Sequence, residues 1–437
     1  MPASPLDSGL FAGLFGDPEL AAHFSDRATL DTMLQVEAAL AAAQAAEGMI
    51  PAEAAAEIAY AAATARIDPA ALSAGTARDG VPVPALLAAL RADLGEEAAG
   101  RLHWGATSQD IVDTALMLRL RAALTLIERR LAALTATLGD LAAAHADTPL
   151  AGRSYGQAAV PTSFGAVVAG WGWPLLAHAE RLEGLRTRLL RASLGGAVGT
   201  LSAMQGRGAA VRARFAAALG LQDPGHGWHS SREGLAELAG WSCGVTVALG
   251  RIGEDLWLMA QSGVAEIGLA GGSSSTMPQK VNPVAPSLLV ALARAAVALE
   301  SGLQGAALHR QSRDGTAWFT EWLLLPQLML GAGRALAAAQ EMLAGLAPDP
   351  VQMEANMEGD LGLIHAEALV FTLALQMPRP AAQAAVADLC AEARASAMPL
   401  RQLAAQRFPH LPPLRADLGE APAEARRFAD AARQPAG

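Results

Sequence analysis

The chain has 437 residues, 52% of them hydrophobic and 17% charged, with a formal net charge of −10. That much apolar material excludes wholesale disorder, and an acidic balance with no run of basic residues excludes a broad nucleic-acid footprint. The length suggests one large or two to three smaller domains, and so low a charge density points to a large buried subunit interface.

Cys243 and Cys390 make neither a disulfide framework nor a CxxC metal site and fit a reducing cytoplasm. The N-terminal segment has no basic stretch and carries Asp7, Asp17 and Glu19, which is unlike a signal peptide.

The dominant period along the chain is helical. Between Arg27 and Glu47, Leu30, Met33, Leu34, Ala38 and Ala41 fall on one helix face, and Gly48 and Pro51 end it. A longer pattern starts near Ile111 and runs through Leu116, Leu120, Leu124, Ile127, Leu131, Leu134, Leu138 and Leu141 in steps of three or four. No Pro or Gly interrupts Val112 to Leu138, a stretch of roughly 40 Å as a helix. The uncharged stretch Ser154 to Ala179 contains Pro161, Pro174, Gln157, Thr162 and Ser163, poor material for a membrane span, and reads as buried in protein.

Further helical runs are expected at Ser163–Leu194, bent or broken at Pro174, and at Arg232–Gly263, Pro286–Arg310 and Trp318–Leu346. Alternating strand patterns are nearly absent, and Asp79–Gly80 is the one place where a small turn is expected. Helices shorten after Pro350, and the tail Arg433–Gly437 reads as frayed. The fold class is therefore all-α. The expected domains are 1–110 (N-terminal, helical), 111–350 (a central bundle of long helices) and 351–437 (small, C-terminal, helical).

Three breaks between helices are dense in polar residues: HWGATSQDIVDT from His103, GRSYGQAAVPTSFG from Gly152, and AGGSSSTMPQKVNP from Ala270. Hydroxyl-rich caps and loops are the plain alternative for such segments, and for the first the two readings stay open. Thr107, Ser108 and Asp110 ahead of a long apolar run form a helix N-terminus, which is also a ready anion site.

The third segment carries more. Of 32 basic residues, 31 are arginine, and the one lysine is Lys280. The chain has two asparagines, Asn282 and Asn356, and two tyrosines, Tyr60 and Tyr155. A Gly/Ser-rich loop holding the lone lysine and one asparagine two positions apart is suited to close over a substrate and deliver a serine. The lysine would meet a carboxylate or lower the pKa of a neighbouring hydroxyl.

SSTMPQKVNP at Ser274–Pro283 resembles the GSSxMPxKxNP signature of the fumarase/aspartase superfamily, and the other two segments resemble that superfamily's remaining regions in order and spacing. FGDPELAAHFSDRATLDTMLQVEAALAAAQ, HWGATSQDIVDTAL, GRSYGQAAVPTSFG and AWFTEWLLLPQ are most similar to the bacterial 3-carboxy-cis,cis-muconate cycloisomerases. The resemblance implies a three-domain, mostly helical subunit that assembles as a homotetramer, each active site built from the three segments on three different subunits. It implies no metal and no organic cofactor.

The implied reaction is lactonisation. One carboxylate of a small polycarboxylate adds across a double bond of the same molecule, and a carbon beside another carboxylate is protonated, giving 4-carboxymuconolactone in the protocatechuate branch of aromatic degradation. Carried over by position, Ser274 would exchange the proton at carbon, and Lys280 and Asn282 would bind and polarise the substrate carboxylate. Thr107 and Ser108, with their backbone N–H groups, would hold another carboxylate. Gln157 and Thr162 would line the site, and Arg313 resembles an arginine of the family's last polar stretch.

The sequence departs from the family pattern in three places. Tyr155 stands where many superfamily lyases carry the histidine that protonates a leaving group. Its loss favours a cycloisomerase, because a carboxylate leaves without needing a proton. Ser273 adds a third serine to the loop, and Gln311-Ser312 precede Arg313 where His-Glu is common, with His309 nearby. The alternatives are an adenylosuccinate-type or other fumarate-releasing lyase and, outside enzymes, an inactive helical scaffold.

His103 either touches substrate or packs beside Trp104. His226 and His229 share a Gly/Pro loop without the further ligands a metal site needs. Trp171 and Trp173 read as core.

Overall fold

The computed structural model describes residues 4–273, 276–277 and 279–434. Among these residues there are eighteen α-helices and three two-stranded antiparallel ribbons. The all-α expectation holds.

The helix Asp26–Ala46 begins where Ser25 Oγ accepts from the Ala28 N–H at 3.2 Å, and it buries Leu30, Met33, Leu34 and Leu40. It stops at Gly48, whose φ of +66° places it in the left-handed region that favours glycine. The leucine pattern from Ile111 becomes Ser108–Ala144, a helix of 37 residues, about 55 Å long. Leu116, Leu120, Leu124, Ile127, Leu131, Leu134 and Leu138 are all buried. The other long helices are Phe164–Leu189, Glu233–Met259, Val284–Ala306 and Gly315–Ala344.

Pro174 lies inside Phe164–Leu189 without breaking it. Proline has no N–H for the carbonyl four residues back, that of Gly170. Arg251 Nη1 donates to this carbonyl instead, at 3.3 Å. A long-range partner, invisible in the local pattern, lets the helix continue.

The chain forms two compact units, each drawn from separated stretches. One comprises Met1–Arg130, His178–Val247 and Leu292–Ala335; the other comprises Leu131–Ala177, Ala248–Ala291 and Leu336–Gly437. These units interleave along the sequence, whereas a division at 110 and 350 follows chain order.

In the first unit, the stretch Ile111–Leu118 of the long helix is buried on every side. In the second, Arg379–Ser396 buries Ala382, Val386, Leu389 and Ala393, one helix face, against Leu369, Leu373, Leu400 and Leu403. The C-terminal helix Ala421–Arg433 sets Phe428 edge-on to Trp173.

The turn expected at Asp79–Gly80 is a helix stop instead. Gly80, at φ +72°, closes Ser73–Asp79 with its N–H on the Thr76 carbonyl. A tight hairpin lies elsewhere, pairing Pro149–Ser154 with Gln157–Ser163. Its two turn residues, Tyr155 and Gly156, have φ of 52° and 72°, as a type I′ turn requires. Its strands are built of Gly, Ala and Pro as much as of β-formers, so no alternation announced it.

Candidate active-site segments

The first segment is organised by Asp110. Its buried carboxylate accepts from the N–H groups of Thr107 at 3.0 Å, Gly195 at 2.8 Å and Gly196 at 3.0 Å, and His229 Nε2 lies 2.6 Å from Oδ1. Four partners satisfy a charge that burial would otherwise make costly. Gly196 has φ +67°, and a Cβ there would meet the Gly105 carbonyl at 2.9 Å, so the close approach needs glycine.

The Thr107 N–H is therefore already engaged by Asp110. What this end of the helix presents is the Thr107 hydroxyl, Ser108 at the helix N-terminus, and a guanidinium: Arg313 Nη1 donates to Thr107 Oγ1. A helix N-terminus with an arginine beside it favours an anion.

His103 has a left-handed backbone, φ 64°, and its Nδ1 lies 2.7 Å from Glu37 Oε1. Glu37 is buried, and its second oxygen has no partner among the described residues. The imidazole is 15% exposed. A histidine backed by a buried carboxylate is both oriented and suited to moving a proton.

Beneath this end lies a buried charge cluster that the sequence motifs did not announce. Arg232 donates to Asp113 at 2.6 and 3.1 Å and to Glu321 at 2.8 and 2.5 Å. Gln109 and Trp318 also donate to Asp113, each at 3.1 Å, and the guanidinium stacks on Trp228 at 4.9 Å. Burial works to raise the Glu321 carboxyl, but His309 and Arg232 outweigh it and hold it below the usual range. His309 Nε2 is 3.8 Å from Glu321, so this imidazole serves the core rather than the neighbourhood of Arg313. The only hint was a charged residue, Asp113, on a face that is otherwise apolar.

The second segment is the hairpin. Tyr155, at its tip, is fully exposed, Gln157 is exposed, and Thr162 is half-buried. Arg153 anchors the ribbon through paired bonds of 2.8 and 2.6 Å to the buried Glu266. Asn356 Nδ2 bridges Glu266 Oε1 at 3.0 Å and the Val264 carbonyl at 2.7 Å. The second of the two asparagines is thus a structural clamp.

The third segment is tied at its ends by a short ribbon pairing Gly272 with Asn282 and Ser273 with Val281. Lys280 is exposed and its N–H donates to the Met277 carbonyl at 3.0 Å. Ser274 lies outside the described residues. The structure thus joins Thr107 to Arg313, puts Tyr155, Gln157 and Thr162 on one hairpin, and fixes Lys280 and Asn282 at the closing end of one loop.

Neither histidine of the 226/229 pair has a ring free of protein partners: His229 is on Asp110, and His226 Nδ1 lies 2.9 Å from the Gly227 carbonyl. Trp171 is buried with its Nε1 on Asp255, while Trp173 is 38% exposed and only partly in the core. Burial pushes both thiols up, so neither is primed as a nucleophile.

Residues 15–297 match the family described as Lyase. The chain is 40% identical to the 3-carboxy-cis,cis-muconate cycloisomerase of Pseudomonas aeruginosa, over 88% of this chain and 85% of the relative. It is similar in structure to the 3-carboxy-cis,cis-muconate lactonizing enzyme of Pseudomonas putida, with a TM-score of 0.91, 35% identity and coverage of 98% and 99%. A fumarate lyase from Mesorhizobium sp. BNC1 gives a TM-score of 0.89 at 33% identity, over 95% of this chain and 98% of that one.

Proposed function

The chain belongs to the lyase family of the fumarase/aspartase superfamily, and we propose that within it the protein is a 3-carboxy-cis,cis-muconate cycloisomerase. The observation that carries this reading is 40% identity to a cycloisomerase over most of both chains. The hairpin adds a chemical argument. Its tip offers Tyr155 and Gly156 and no histidine, so that segment lacks the imidazole that would protonate an amine leaving group. Lactonisation needs none, because the group that adds or leaves is a carboxylate.

The proposed step closes a lactone. An oxygen of one substrate carboxylate bonds to an alkene carbon, the alkene electron pair moves toward the carbon beside a second carboxylate, and that carbon takes a proton. Having both reactants in one molecule removes most of the entropic cost. Ser274 delivers the proton, while Lys280 and Asn282 stabilise the charge that builds on the second carboxylate. Thr107, Ser108 and Arg313 hold the remaining carboxylate, with Tyr155, Gln157 and Thr162 lining the site and His103 beside it. These roles rest on position in the matched motifs.

We further propose a homotetramer in which different copies supply the three segments to each site. Supporting this, Val284–Ala306 is strongly apolar yet only one-third buried. Val284, Val297, Phe319 and Leu323 are exposed on this helix and on Gly315–Ala344. Such apolar faces mark protein contact surfaces. Incubating the purified protein with 3-carboxy-cis,cis-muconate should remove the conjugated-diene absorbance, and adenylosuccinate should be left intact; the reverse pattern would favour the fumarate-releasing alternative.

A further inference from the structure

The first unit contains a cavity of about 410 Å³, bordered by Val112 of the first segment but by none of the residues assigned to catalysis or substrate binding, and within the range of small-molecule sites. Its wall is mostly apolar, with Leu30, Met33, Leu72, Leu116, Trp322 and Leu325. Arg119 enters this wall from the long helix Ser108–Ala144.

Arg119 differs from the other enclosed arginines. Arg232 faces two carboxylates, Arg130 faces Asp17 and Glu19, and Arg212 faces Asp223. Among the described residues, Arg119 has a single hydrogen-bond partner, the Thr29 hydroxyl at 2.9 Å, and its buried Nε has none. The two acidic residues on the cavity wall do not answer it. Glu321 is engaged by Arg232, and Asp26 is exposed at the start of its helix. Burial without a counter-charge pulls the guanidinium down to about 10. Leaving a desolvated cation and an N–H donor unanswered is costly, and a ligand that supplied the missing anion would recover that cost.

We propose that this cavity is a binding site for a small amphipathic monoanion, a carboxylate carried on a compact apolar or aromatic body. The carboxylate meets Arg119, whose forked donors suit its two oxygens, and the body fills the space between Leu30, Leu72 and Trp322. A single guanidinium matches one negative charge, and Asp26 and Glu321 on the wall would repel a second.

The test is calorimetric titration of the intact protein with benzoate and with benzamide, its uncharged counterpart, repeated on Arg119→Met. Benzoate should bind the wild type, and both benzamide and the variant should weaken binding by at least about tenfold, as loss of a charge-assisted pair implies. Arg119 lies outside the segments assigned to catalysis, so Arg119→Met should keep its turnover of the muconate. Benzoate binding that is absent from the wild type, or equal in the variant, would overturn the proposal. Should the variant not fold, the wild type alone decides, because benzamide binding as tightly as benzoate would show that the charge is not read.

Discussion

Arg313 and Thr107 lie 206 positions apart and are joined by a hydrogen bond from the guanidinium Nη1 to the threonine Oγ1. The bond sets a cation against the N-terminus of the longest helix, where an anion is already favoured. If the pair holds one substrate carboxylate, Arg313→Met and Thr107→Val should each raise KM by about one to two orders of magnitude, as expected for loss of a charge-assisted contact. Because they share one contact, the double variant should lose less than the product of the two effects. Steady-state kinetics of the three variants checks this, and fully multiplicative losses would mean that the two residues act separately.

Asp110 holds the same end of the helix from inside. Asp110→Ala removes an acceptor shared by Thr107, Gly195, Gly196 and His229. Leaving such buried donors unanswered should lower stability by about 3–5 kcal/mol. Urea denaturation measures it, and a loss below about 1 kcal/mol, the range of an ordinary surface change, would show that water replaces the carboxylate easily.

The hairpin tip separates a turn role from a substrate role. Asparagine tolerates the left-handed backbone that Tyr155 adopts, so Tyr155→Asn should preserve the turn while removing the phenol. Gly156→Ala puts a Cβ at φ +72° and should cost about 1 kcal/mol. If Tyr155 lines the site, Tyr155→Asn lowers kcat/KM with an unchanged melting temperature. Unchanged kinetics would assign the tyrosine to the turn alone.

Lys280 stands where a chain that uses arginine 31 times has kept its one lysine. Guanidinium is broader, planar and forked, and at the closing end of the Gly272–Asn282 ribbon it would displace a bound carboxylate or hold the loop open. Lys280→Arg should fold and assemble normally yet lose about a hundredfold in kcat/KM, roughly 2.7 kcal/mol. Activity within a few-fold of wild type would reduce Lys280 to a surface charge, because it is exposed in the folded chain.

The long helices were legible because their leucines repeat every three or four residues and few prolines or glycines intervene. The hairpin was not, because its register is set by a Tyr-Gly turn and by the Arg153–Glu266 anchor rather than by alternating strands. The passage of Phe164–Leu189 through Pro174 was also hidden, since it depends on Arg251, distant in sequence. At the candidate site, the proposed Thr107, Ser108, Lys280 and Arg313 were picked out by motif position and by the rarity of lysine. Glu37, Arg232 and Glu321 were not, because each is a charged residue in a helical run whose partner comes from another part of the chain.

A cycloisomerase closes a lactone and releases nothing, whereas a fumarate-releasing lyase splits its substrate in two. The most direct measurement follows 3-carboxy-cis,cis-muconate by proton NMR in the presence of purified protein. Conversion to a single product, 4-carboxymuconolactone, with one new proton on the carbon beside a carboxylate and no second product, is the predicted result. A muconate left unchanged, while adenylosuccinate or another succinyl adduct yields fumarate under the same conditions, would contradict it.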